Sequence, residues 1–218
     1  MVAVEKVSRP RLRGVIHRYA AASFASAFAA LALTAGDGAA AAWVLLYGVC
    51  VTAMLTVSAI YHARGRSEAA RRVLKRVDHS MILVAIAGSY TGVVGLALEG
   101  PDRAVLLATV WALAVAGVAI RMLWLDAPYP VTATVYIAVG WVALLDLDGL
   151  SRALTTTEFV LLFAGGLLYS GGAVVYALHR PNPWPATFGY HELFHALVVA
   201  AATTHLVAVI LLLQRRPG

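Results

Sequence analysis

Seven apolar stretches dominate this chain, near residues 16–35, 39–62, 77–98, 103–124, 130–147, 158–178 and 191–213. A helix that crosses a hydrocarbon core of roughly 30 Å needs about 20 mainly apolar residues. Lipid offers no partners to backbone N–H and C=O groups, so a span must satisfy them internally, and uninterrupted runs of this length do so as helices. The predicted fold class is therefore an all-α membrane protein, a seven-transmembrane-helix bundle. Composition agrees: 61% of residues are hydrophobic and 13% charged, against about 45–50% and ~25% in soluble domains.

Turn residues punctuate the runs. Gly36-Asp37-Gly38, Glu99-Gly100-Pro101-Asp102, Pro128-Tyr129-Pro130 and Pro181-Asn182-Pro183-Trp184-Pro185 oppose continued helix. Thr155-Thr156-Thr157-Glu158 has the spacing of a capping box that starts the sixth span. The expected organisation is one transmembrane domain over 1–218, with a short basic cytoplasmic segment at 1–15. A basic flank and the small residues Ala30-Leu31-Ala32 give the first span some likeness to a signal peptide. Its apolar run exceeds the roughly 7–15 residues of a signal h-region, which favours a retained helix. The one cysteine, Cys50, forms no intramolecular disulfide.

Alternating the spans sorts the basic residues. With the N-terminus inside, only Arg103, Arg152, Arg215 and Arg216 of the 17 Lys and Arg fall outside. The positive-inside rule thus predicts a cytoplasmic N-terminus and an external C-terminus. This also accounts for the formal charge of +6 without a nucleic-acid partner; the expected partners are membrane lipids.

Topology converts positions into depths. His62 closes the second span with Ser58 one turn deeper, Asp78 and His79 open the third, and His191, Glu192 and His195 open the seventh. All fall at the predicted cytoplasmic boundary, and ionisable groups in spans tend to face the bundle and mark function. His191 and His195, at i and i+4, share a helix face and can reach one metal. Each group also has a plainer role: His62 as an interfacial residue, Asp78 as a charge favoured by a helix N-terminus. His205 lies ~15 Å along the helix from His195 at ~1.5 Å per residue, too far to share that metal. His17 and His179 read as boundary residues without chemistry, and His79 is ambiguous.

The spelling H-E-x-x-H also invites a zinc protease with Glu192 as general base. An intramembrane protease would want a carboxylate ligand, and Leu147-Asp148-Gly149 offers one. Asp148, however, falls at the opposite end of the fifth span, and the motif order is reversed.

Taken together, Ser58-Ala59-Ile60-Tyr61-His62, Asp78-His79-Ser80, Ala87-Gly88-Ser89-Tyr90-Thr91 and the run Gly189-Tyr190-His191-Glu192-Leu193-Phe194-His195-Ala196-Leu197-Val198 resemble the haemolysin III family. That family groups with the adiponectin and progestin receptors, seven-helix proteins with the N-terminus inside. The resemblance covers nearly the whole chain in order and spacing. It implies zinc (Zn2+) held by His62, His191 and His195, with Ser58 and Asp78 as polar partners beside the metal. Three histidines leave the fourth position of tetrahedral zinc to water, a catalytic pattern. Asp78 would then handle the proton and Ser58 an oxyanion or that water, while Glu192 stands aside on another face. Ceramide hydrolysis proposed in the receptor branch implies a zinc-dependent hydrolase of lipid amide or ester bonds. The family name equally implies a non-enzymatic, pore-forming or membrane-homeostasis protein with a structural zinc. The long N-terminal domain of the animal receptors has no counterpart in these residues, so hormone recognition is not carried over. Gly165-Gly166 and Gly171-Gly172 read as sites of close helix packing.

Overall fold

A computed structural model describes residues 10–35 and 38–215. Lys6, Arg9, Arg216 and the Gly36-Asp37 part of the first turn lie outside the described residues. Helices α1 (Val15–Leu33), α2 (Gly38–Tyr61), α3 (Glu68–Ala97) and α4 (Gly100–Leu123) are followed by α5 (Tyr129–Gly140), a 3-10 turn (Val142–Asp146) and α6 (Leu147–Ala153). The chain ends with α7 (Thr156–Leu178) and α8 (Tyr190–Gln214). Counting α5 to α6 as one unit, the described residues hold seven helices long and apolar enough to cross a membrane.

The seven spans appear where hydropathy puts them, with two differences. Helix α3 starts at Glu68, well before its apolar stretch, because Ser67 accepts a hydrogen bond from Ala70 N and caps it there. Arg71, Arg72, Lys75 and Arg76 thus ride on helix, not loop. The fifth span is broken after Gly140. A break exposes backbone groups that lipid cannot satisfy, and Tyr90 on α3 supplies the remedy: its hydroxyl donates to Gly140 O (2.8 Å) and accepts from Ala143 N (2.7 Å). Trp141 Nε1 meanwhile donates to Ser170 Oγ on α7 at 2.9 Å.

Helix α3 is the central element, packed against α2, α4, α5 and α8. It carries a row of small residues toward α2. A Cβ at Gly88 would lie 2.4 Å from Cys50 Cβ, at Gly92 2.7 Å from a Tyr47 ring carbon, and at Gly95 2.6 Å from the Trp43 ring. Without a hydrophobic driving force between helices in lipid, such close approach is what holds them. Gly92→Leu is expected to wedge α2 from α3 and lower stability by about 1–3 kcal/mol, as overpacking does, read as an earlier thermal unfolding midpoint. Gly165 and Gly172 play the packing part foreseen for them, facing His205 and the Phe194–Leu197 stretch of α8.

The capping box at Thr155 and Glu158 is present. Glu158 is also buried and accepts from Arg215 Nε at 2.9 Å. Arg215 is therefore one half of an ion pair that ties the end of α8 to the start of α7.

A candidate metal centre at one end of the bundle

Three helices and the segment before α1 converge at the end of the bundle that holds His62. That residue follows the last turn of α2, where its N–H still donates to Ser58 O at 3.0 Å and continues the helical pattern. His191 and His195 project from the first turns of α8. The Nε2 atoms of His62 and His191 stand 3.0 Å apart. One ring nitrogen from each of His62, His191 and His195 lies within 4.8 Å of the other two. Two nitrogens bound to one zinc at about 2.0–2.1 Å in a tetrahedral site are roughly 3.3–3.4 Å apart. The donor set suits zinc, and it is the one such cluster among the described residues. His62 and His195 are buried and His191 is half-buried.

Asp78 and Ser58 are buried as well, and the Ser58 hydroxyl is within hydrogen-bonding reach of the Asp78 carboxylate. Both line a cavity of about 220 Å³ together with His191 and His195. From that polar end the cavity runs between α3, α5, α7 and α8 past Ile86, Phe194 and Leu162 to His205. It is apolar over most of its length and polar where the histidines meet. His205 belongs to its far part, near Leu162 O at 3.0 Å.

Three residues given no chemistry by sequence are built into the centre. His17, expected at a boundary, lies inside α1 with 2% exposure, its ring stacked on His195 at 3.7 Å and 9° between planes. Glu192, expected to stand aside, is fully buried. One carboxylate oxygen accepts from Gly189 N at 2.9 Å, and the other is ion-paired with Arg13. Arg13 belongs to a strap over Pro10–Gly14 that runs across the histidines: Arg11 N donates to Ala186 O (3.1 Å) and Leu12 N to Thr187 O (3.2 Å), both in the loop before α8. Gly14 has φ 77°, a conformation that suits glycine, and a Cβ there would come within 2.7 Å of His62 Cβ. The available signal for His17 was its ionisable side chain in an apolar run; for Glu192 it was its place three residues into a helix, where a carboxylate can cap.

His79, ambiguous by sequence, lines the same cavity and is held by side chains of α4, α5 and α7. Its Nδ1 lies 2.6 Å from Arg121 Nη2 and its Nε2 lies 3.4 Å from the Tyr176 hydroxyl, while Tyr136 donates to its carbonyl at 2.9 Å. A guanidinium can only donate, so Nδ1 is the acceptor. His179 packs edge-on against Tyr129 and Tyr190. Asp148 pairs with Arg152 at 2.5 Å on an exposed face.

The chain matches the family described as haemolysin-III related over residues 5–206. It is 28% identical over 165 residues to the Bacillus subtilis (strain 168) protein named Hemolysin-3 homolog, covering 76% of this chain and 74% of that one. Its likeness to Bacillus cereus Hemolysin-3 is 29% over 157 residues, covering 72% and 68%. A shorter stretch of 70 residues, 30% of this chain and 18% of the other, is 46% identical to heptahelical transmembrane protein 4 of Arabidopsis thaliana. No solved structure gives a significant match.

Proposed function

The chain belongs to the haemolysin-III related family and is a multi-pass bacterial membrane protein; from that premise we propose that it is a zinc-dependent hydrolase of lipid amide or ester bonds, working at the cytoplasmic boundary with its N-terminus inside. The observation that carries this reading is the meeting of three imidazoles with Asp78 and Ser58 at the polar end of an apolar cavity. Such a cavity suits an acyl chain, whose linkage would then come to rest beside the histidines.

His62, His191 and His195 would hold the metal. Zn2+ bound there would supply Lewis acidity and lower the pKa of a water to about 7. Asp78 is positioned to take a proton from a nucleophilic water and return it to the leaving amine or alcohol. Ser58 orients that carboxylate, or donates to the carbonyl oxygen as charge develops on it. The apolar walls exclude bulk water, which strengthens each of these interactions.

A second reading, a non-enzymatic protein whose zinc ties helices together, is favoured by the strap of Arg13 and Gly14 across the histidines and by the His17 ring stacked on His195. The lytic behaviour named in Hemolysin-3 would belong with it. A protease reading is weakened because both oxygens of Glu192 are engaged by Gly189 N and Arg13.

The test uses purified full-length protein in lipid nanodiscs, with zinc measured by elemental analysis and turnover measured on ceramide and phospholipid. Asp78→Asn is expected to keep its zinc and lose about 10²–10⁴-fold in kcat, the usual range for a general acid or base. Zinc-loaded wild type that turns over neither lipid would overturn the hydrolase in favour of the structural role.

A further inference from the structure

A second site lies outside the metal centre, where the basic start of α3 meets the turn between α4 and α5. Arg72, Lys75 and Arg76, at i, i+3 and i+4, share one face of α3. Across a cleft of about 430 Å³ they face Leu123, Trp124, Leu125 and Asp126. Lys75 Nζ reaches Asp126 at 3.3 Å, and Arg72 reaches Glu68 on the open side at 2.7 Å. Arg76 Nε is buried without a hydrogen-bond partner among the described residues.

The floor of this cleft is pinned by a further cation. Arg121, 5% exposed, lies beneath the turn and donates to Trp124 O at 3.3 Å and Leu125 O at 3.1 Å. Its other hydrogen-bond partners, Thr132 and His79, are neutral acceptors. Four cations therefore gather about one cleft whose lining includes a single carboxylate, that of Asp126. Any cytoplasmic edge of a membrane protein is basic. A half-open cleft, a buried guanidinium N–H with no partner among the described residues, and a floor pinned by Arg121 go beyond that rule.

We propose that this cleft binds the phosphate group of an anionic phospholipid, of the phosphatidylglycerol class. A phosphodiester offers the acceptor oxygens that Arg76 Nε lacks, and guanidinium groups suit phosphate geometry. The net positive lining selects a headgroup that carries net negative charge over a zwitterionic one. The rim argues for a lipid rather than free phosphate: Leu123 is 88% exposed and Trp124 51%, an apolar ledge where a glycerol backbone and the first acyl carbons can sit, with tryptophan at its customary interfacial depth. The proposal is independent of the metal and of turnover.

The test is native mass spectrometry of the full chain released from micelles holding equal phosphatidylglycerol and phosphatidylcholine. Wild type is expected to retain phosphatidylglycerol preferentially. Each basic residue near a membrane surface contributes about 1 kcal/mol toward anionic lipid. Arg72→Gln combined with Arg76→Gln should therefore cut that retention by at least about tenfold, with phosphatidylcholine retention and zinc content unchanged. Asp126→Asn, on an exposed carboxylate, should raise retention by releasing Lys75. Arg152→Gln at the other end of the bundle should leave it unchanged. Equal retention in wild type and the double variant overturns the proposal, as does a failure of Asp126→Asn to raise it. Complete displacement of the lipid by 10 mM inorganic phosphate would overturn the lipid assignment in favour of free phosphate.

Discussion

Exchange of His195 for alanine is expected to empty the metal centre. This imidazole lies at the middle of the cluster, with its ring centroid 4.5 Å from that of His191, 5.1 Å from His62 and 3.7 Å from His17. Its removal leaves two nitrogens and a void where the third stood. Loss of a mere supporting residue around a metal typically weakens affinity by 10–100-fold, so loss of a ligand should exceed that range. Elemental analysis should find zinc near stoichiometric in wild type and close to zero in His195→Ala and His62→Ala. His205→Ala supplies the control, because it deletes an imidazole of the same size from the same helix, one that lies near Leu162 O. Retention of zinc by His205→Ala with its loss from His195→Ala would separate ligation from packing damage. Equal zinc in all the variants would sink the centre.

His17→Ala refines the expectation. Its ring meets the cluster through the stack on His195, so its effect should stay inside the 10–100-fold band of outer support. His17→Phe, which keeps a flat ring in the stack, should recover most of the affinity.

What the sequence made legible was whatever hydropathy and short spacing encode. The seven spans, the capping box at Thr155 and the shared depth of His62, His191 and His195 follow from run length, i to i+4 geometry and alternation of direction; that His62 joins the other two came from the family resemblance. Pairings between distant spans do not. Tyr90 lay in a recognisable motif, yet its service to the broken backbone at Gly140 and Ala143 appears only once the fifth span is seen to break. Arg13, Arg121 and Arg215 counted equally as orientation charges. Each is in fact committed to a specific partner, Glu192, His79 and Glu158 respectively. A charge tally cannot tell a solvated arginine from a clamped one, because both raise the basic count by one. His17 was discounted for sitting near the start of a span, although an ionisable residue in a membrane helix tends to face the bundle.

Glu192 separates the readings of the H-E-x-x-H motif by thermodynamics. Its carboxylate is fully buried and paired with Arg13, whose side chain is 19% exposed. Removing one partner of a buried ion pair leaves an uncompensated charge, which typically destabilises by about 3–5 kcal/mol. Glu192→Ala is therefore expected to lower the unfolding midpoint sharply and to free the strap from α8, seen as faster protease cleavage near Arg13. Replacement of both partners by apolar residues of similar volume, Glu192→Leu with Arg13→Met, should restore most of the stability, since the pair's attraction is largely offset by its desolvation. A general base behaves otherwise. In a protease, Glu192→Gln would abolish turnover while stability stayed put, and the apolar double variant would remain inactive. Here the double variant should regain zinc and any lipid turnover along with its fold, because in the proposed function the neighbouring histidines hold the metal and Asp78 carries the proton. A stable Glu192→Ala with its strap still protected would remove the pair from the fold and return Glu192 to the chemistry of the site.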